Sequence, residues 1–206
     1  VIVNLGAIPV FVDIDPDTFN MDCNKLSEVL DKEENIKAII PVHLFGQSAK
    51  IKEIAELSQQ KGVFVVEDCA QAIGAEYNGQ KVGSFGNLGC FSFFPAKNLG
   101  CFGDGGLITI NSKELYEKLL LLRNHGSSSG SKYKNLIVGY GSRLDVLQAK
   151  VLSIKLDYLD DWNTKRISNA KFYNENIKNL NIVLPFKTED GKHVYIEKKE
   201  IKNNII

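Results

Sequence analysis

Short apolar runs alternate with amphipathic stretches along the first third of the chain, and this alternation limits the fold more than any other feature. Residues 10–14 form a β-branched and aromatic run closed by Asp15-Pro16-Asp17, the composition of a strand followed by a turn. A helical stretch over 25–30 follows, then a continuous apolar run over 36–42, which predicts a strand buried on both faces. Ser48 is placed to cap a helix whose apolar positions are Ile51, Ile54, Ala55 and Leu57, with Gly62 at its left-handed end. The next strand is predicted at 63–66. Strand, helix, strand, helix, strand in this order implies right-handed βαβ units and a mostly parallel sheet, which offers side chains to ligands at the carboxyl ends of its strands. Glu67-Asp68 stands at such an end.

Further strands are predicted at 89–93 and 107–110, separated by the Gly-rich stretch 95–106. An amphipathic helix is expected over 113–124 with Gly126 past its end, then a mobile Ser/Gly-rich segment at 127–131. From Arg143 onward Leu144, Leu147, Val151 and Ile154 keep a helical rhythm, and a second helical stretch covers 161–180 before a strand-like piece at 193–196. This divides the chain into a sheet domain over 1–142 and connecting helices with part of a smaller domain over 143–206.

Composition removes several classes of function. The 25 basic side chains balance 25 acidic ones, so no long-range field draws the protein to nucleic acid or to an anionic membrane. No apolar run approaches the roughly 20 residues that span a bilayer, and no signal-type leader is evident, so the cytoplasm is the expected location. Cys23, Cys69, Cys90 and Cys101 show no paired spacing and are expected as buried thiols. His43, His125 and His193 are scattered far apart, and no metal is assigned.

Three clusters carry chemistry: Glu67-Asp68-Cys69-Ala70-Gln71-Ala72, then Phe91-Ser92-Phe93-Phe94-Pro95-Ala96-Lys97-Asn98-Leu99-Gly100, then Gly103-Asp104-Gly105-Gly106. An Asp at a strand end, with a Ser and a Lys in a tight loop after a later strand, supplies what a pyridoxal phosphate site needs: a pyridinium partner, a phosphate ligand and an amine that captures the aldehyde. Each residue also has a plainer reading. A lone Lys in a Gly-rich loop is usually solvated, Asp68 could be a turn residue, and His43 is as well explained by a structural role as by a substrate contact.

These clusters, together with Pro9-Val10-Phe11-Val12-Asp13-Ile14-Asp15, Pro41-Val42-His43-Leu44-Phe45-Gly46-Gln47, Leu122-Arg123-Asn124-His125-Gly126 and Ser142-Arg143-Leu144-Asp145, resemble the DegT/StrS-like family of nucleotide-sugar aminotransferases. That family lies within the aspartate-aminotransferase fold superfamily. The resemblance implies an α/β large domain with a mostly parallel sheet, followed by long helices leading to a truncated small domain. It implies pyridoxal 5'-phosphate as cofactor, held covalently by Lys97, with Asp68 facing the pyridine nitrogen, Gln71 near the ring hydroxyl, Ala70 on the ring face and Ser92 on the phosphate. Arg143 would reach the phosphate of a neighbouring subunit in a homodimer, and His43 would lie near the sugar pocket. The substrates implied are a nucleotide-linked keto sugar and an amino donor, glutamate.

The family's amino-terminal phosphate loop would lie upstream of Val1, its small domain would continue past residue 196, and Gly141 stands where the family commonly has Asn. Two other readings therefore stay open: a noncatalytic binding or regulatory remnant of the same fold, and a sugar dehydratase. The family's dehydratases replace the lysine with histidine, which Lys97 disfavours.

Overall fold

A computed structural model of the protein describes residues 1–128, 134–178, 182–184, 186–196 and 201–202. Asp22 caps the first helix, α1 (Cys23–Lys32), its carboxylate accepting from the N–H groups of Asn24 and Lys25. The two-residue strand β1 (Ala38–Ile39) leads through a 3-10 turn, Leu44–Gly46, to α2 (Ile51–Lys61), which ends on Gly62 at φ 65°. Next come β2 (Phe64–Asp68) and a small hairpin, β3 (Glu76–Tyr77) with β4 (Gln80–Lys81). Strands β5 (Leu88–Ser92) and β6 (Gly106–Ile110) precede the helices α3 (Lys113–Arg123), α4 (Val146–Leu156) and α5 (Leu159–Asn176). Short strands β7 (Ile182–Val183), β8 (Gly191–Lys192) and β9 (Ile201–Lys202) follow.

The main sheet has the order β1-β2-β5-β6. Both pairs formed by β2 are parallel, with Ile39 opposite Val65 and Asp68 opposite Cys90, and β6 closes the edge antiparallel to β5. Helices α1 and α2 cover one face, where Leu26, Leu30, Ile51 and Ile54 pack with Ile39 and Val65. A second core joins Phe93, Leu99 and Cys101 of the loop after β5 to Leu152 of α4 and Leu159 of α5, so the long helices are packed onto that loop.

Several expectations need correction. Residues 10–14 form no strand; only an isolated bridge, Ile14 to Met21, is made, and Phe11 is 88 % exposed. β-propensity without a neighbouring strand to pair with does not make a ladder. The 36–42 run is not buried on both faces, because Ile40 and Val42 remain 39 % and 37 % exposed. Ser48 does not cap α2: its hydroxyl donates to Ala49 O, and the N-cap position is Lys50, which has no side-chain cap bond. Residues 193–196 lie outside the strands, although Val194 and Ile196 donate their N–H groups to Gly46 O and Phe45 O. The segment expected to be mobile at 127–131 falls partly outside the described residues; Ser127 forms an isolated bridge with Asn135.

Gly89 shows how closely β5 is approached. A Cβ there would lie 2.5 Å from both Gly83 Cα and Thr109 Oγ1. Gly89→Ala should therefore lower stability by about 3 kcal/mol, measured as a fall in the urea midpoint at constant m.

Candidate active site

Alternation along β2 decides the roles of the two acidic residues at its end. Side chains of successive strand residues point to opposite faces, so Val65 and Glu67 turn into the core while Val66 and Asp68 take the other face, half-buried. Asp68 is held on both sides by backbone bonds: its N–H donates to Pro41 O at 2.9 Å and its C=O accepts from His43 N at 3.0 Å. Its Oδ1 accepts from Ala70 N–H at 3.0 Å, an Asx turn that fixes the carboxylate where the chain leaves the strand. Its second oxygen has no hydrogen-bond partner among the described residues.

Gln71 lies in the same turn. Its Oε1 accepts from Phe45 N–H at 2.8 Å, which orients the amide and leaves its NH2 group free to donate. Phe45 carries φ 57°, a left-handed conformation uncommon for a large side chain. Ser92 ends β5, the strand beside Asp68; its Oγ accepts from Phe94 N–H at 3.3 Å, so its O–H remains available as a donor.

Lys97 sits in the turn that leaves β5. That turn is tied down at several points: Lys97 N–H donates to Phe94 O at 2.9 Å, and Phe93 exchanges bonds with Cys101 and Gly105 at 2.8 Å each. The Lys97 ammonium, by contrast, has no ion-pair or hydrogen-bond partner among the described residues. Lys97 borders an open groove of about 400 Å³ shared with Asn98, Lys155, Trp162 and Arg166. Asp68 and Ser92 are not in the lining of that groove; what relates them to Lys97 is the common carboxyl edge of β2 and β5. Arg143 is exposed, outside this edge, and donates from Nη1 to Asn124 Oδ1 at 3.2 Å.

His43 is fully buried, its Nδ1 accepts from Ala49 N–H at 3.0 Å, and its Nε2 lies 3.0 Å from Glu67 Oε2. With Nδ1 accepting, the ring proton belongs on Nε2 and is donated to Glu67. Glu67, also fully buried, accepts in addition from the N–H groups of Gly83 at 2.7 Å, Phe85 at 2.8 Å and Gly86 at 2.6 Å. Burial raises its pKa, but the His43 bond and the backbone donors outweigh that and hold the carboxyl below the usual range.

Sequence reasoning missed Glu67 as the structural centre of this edge, although strict alternation along the strand allows only one of Glu67 and Asp68 to face a crevice. His43, Glu67 and Cys69 gather ligand-type atoms within 4.8 Å of one another. The His43 and Glu67 atoms are committed, however, to the hydrogen bonds above, and burial with the Glu67 charge pushes the Cys69 thiol up so that it stays protonated. We read the cluster as a hydrogen-bonded brace rather than a metal centre.

The donor set suits pyridoxal phosphate: an uncommitted amine, a half-buried carboxylate, an amide NH2 and a hydroxyl, all on the strand-end edge of a parallel sheet. A mostly parallel sheet with this edge makes an α/β protein, and its likeness to solved aminotransferases places it in their fold class. More narrowly, the chain belongs to the DegT/DnrJ/EryC1/StrS aminotransferase family, whose pattern matches residues 1–201.

The dTDP-3-amino-3,6-dideoxy-alpha-D-galactopyranose transaminase of Aneurinibacillus thermoaerophilus is 51 % identical over 92 % of this chain and 51 % of its own length. A pleiotropic regulatory protein of Geobacillus stearothermophilus is 47 % identical over 94 % of this chain and 52 % of its own. The crystal structure of DesV from S. venezuelae, in complex with a ketimine intermediate, superimposes with a TM-score of 0.88 at 40 % identity, covering 94 % of this chain and 52 % of that one. The chain thus spans about half the length of the relatives it matches.

Proposed function

We propose that the protein transfers an amino group from glutamate to a keto group of a nucleotide-linked sugar, with pyridoxal 5'-phosphate as cofactor. The observation that carries the reading is the adjacent pair of parallel strand ends, Asp68 and Ser92, with the Lys97 turn leaving directly from the second. The transaminase named for the A. thermoaerophilus relative, and the ketimine in the DesV complex, belong to the same chemistry: nitrogen replacing a carbonyl oxygen.

When bound, pyridoxal phosphate supplies an aldehyde that accepts nitrogen and a ring that accepts an electron pair. In this reading the Lys97 amine holds the aldehyde carbon and carries the proton to and from the substrate carbon. Asp68, with one oxygen engaged by Ala70 N–H, presents the other to the pyridine nitrogen and keeps it protonated. The Gln71 NH2 group would hold the ring hydroxyl, Ala70 would pack against the ring and the Ser92 hydroxyl would hold the phosphate. Arg143, with one donor spent on Asn124, keeps others for the phosphate of a second subunit in a homodimer. His43 supports this edge from below, through Glu67.

The setting proposed is the cytoplasm and amino-sugar synthesis for cell-surface polysaccharide, with residues 1–142 as the cofactor-binding portion and 143–206 as the link to a smaller domain. Among the described residues, no helix is long and apolar enough to cross a membrane.

The test is amino transfer. Purified protein given the cofactor, glutamate and a dTDP- or UDP-linked keto sugar should produce an amino sugar and 2-oxoglutarate by mass spectrometry. Asp68→Asn, which keeps the Ala70 contact and removes the charge, should lower kcat by about 10²- to 10⁴-fold with little loss of stability. A second reading, regulation without turnover, is favoured by the name of the G. stearothermophilus relative. It predicts no product under these conditions, and product formation removes it.

A further inference from the structure

Asn98, the residue after Lys97, is 3 % exposed, and its Nδ2 donates both to Asn163 Oδ1 at 2.8 Å and to Val194 O at 3.2 Å. Asn163, fully buried in α5, donates from its own Nδ2 to Ile73 O at 3.2 Å. Neither amide can be reversed. Ile73 O and Val194 O are acceptors only, so both Nδ2 groups must face them, which leaves Asn163 Oδ1 to receive the Asn98 proton.

The bonds continue beyond the two amides. Val194 donates its N–H to Gly46 O at 3.0 Å, Ile196 donates to Phe45 O at 3.1 Å, and Phe45 N–H donates to Gln71 Oε1 at 2.8 Å. Gln71 and Ile73 lie in consecutive turns, 69–72 and 72–75, so the hydrogen bonds and the short chain between these two residues close a circuit. It runs from these turns through Phe45-Gly46, the 193–196 segment, Asn98 and Asn163 and back, with Lys97 next to one of its links.

There is little slack in the circuit. A Cβ on Gly74 would lie 2.7 Å from Asn163 Nδ2, and one on Gly46 2.9 Å from Val194. Asn98 Oδ1, however, is buried without a partner among the described residues. A buried acceptor left unpaired opposes folding, so an amide at this position is not explained by stability alone.

We propose that Asn98 and Asn163 are positioning residues for Lys97. They lock the main chain of its turn to α5 and to the 193–196 segment, so that the reach of the amine is set by the helix that leaves the sheet domain as well as by the turn itself. The inference rests on reading Lys97 as the cofactor-binding amine.

The experiment compares Asn98→Ala, Asn163→Ala and the double variant with the unsubstituted protein. Three readouts are taken: the rate of pyridoxal phosphate capture, trapped with borohydride, the kcat and KM for the sugar substrate, and the melting temperature. Capture rate and kcat should fall about 10-fold in each single variant, with KM changed less than about 2-fold and the double variant no worse than either single. A lower melting temperature with capture and kcat unchanged would overturn the proposal.

If the variants do not fold, amide hydrogen exchange on the unsubstituted protein decides. Residues 97–101 and 192–196 should open as one unit, and independent exchange of the two would overturn the proposal. Absence of any capture by the unsubstituted protein would count against the proposed function, while the exchange measurement would still judge the hydrogen-bonded circuit.

Discussion

Replacing Lys97 with alanine should lower turnover by about 10⁴-fold or more while shifting the melting temperature by less than about 2 °C. The two halves of this expectation come from different parts of the geometry. The turn is held by its main chain, through bonds at Lys97 N, Phe93 and Cys101, and by the buried Asn98 side chain, none of which alanine disturbs. The lysine side chain itself makes no ion pair or hydrogen bond among the described residues, so its removal leaves no buried partner unsatisfied. What alanine does remove is the only atom at this position able to bond the cofactor's aldehyde and to move a proton at the substrate carbon. Partial return of turnover on adding a small primary amine such as methylamine would identify the missing group as the amine itself. A large loss of stability would assign Lys97 a structural role instead.

The largest effect on folding is expected at Glu67. Glu67→Ala would leave three backbone N–H groups, of Gly83, Phe85 and Gly86, and the Nε2–H of His43 without their acceptor in a fully buried site. Removing one partner from such a buried charged cluster costs about 3–5 kcal/mol, readable by urea denaturation. Glu67→Gln is nearly the same size but turns an NH2 group toward donors, so most of the loss should remain. The same residue contributes a pH dependence. Its folded pKa is held below the ordinary 4.5, so the stabilisation is complete above the unfolded value and is lost as pH falls through the folded one. The acid limb of stability against pH should flatten in Glu67→Gln, and an unchanged limb would show that other carboxylates control acid unfolding.

The βαβ succession was legible because its signals are local: apolar runs of strand length, helical spacing in α2 and the left-handed Gly62 at its end. The strand expected at 10–14 failed because a strand depends on a neighbour, which local composition does not report; there the run lies outside any ladder with Phe11 in solvent. Ser48 failed as a cap because a competing acceptor, Ala49 O, was adjacent.

At the candidate site, Asp68, Gln71, Ser92 and Lys97 stand out in sequence by their clusters, and all four come from the ends of β2 and β5 and the turns that leave them. The buried bonding of His43 was not legible, because it depends on Glu67, 24 residues away in sequence and hydrogen-bonded only in the fold. Asn163 went unnoticed, yet it carried a signal. It shares a helical face with Leu159 and Ala170, both buried, and a polar residue on an apolar stripe needs a partner inside.

Everything proposed for this site depends on the Lys97 amine being the group that binds pyridoxal phosphate. Borohydride reduction of the protein with bound cofactor, followed by proteolysis and mass spectrometry of the modified peptide, tests it most directly. One reduced pyridoxyl group per chain is expected, on Lys97. A pyridoxyl group on another lysine with Lys97 unmodified, or its scatter over exposed lysines such as Lys118 and Lys165, would contradict it.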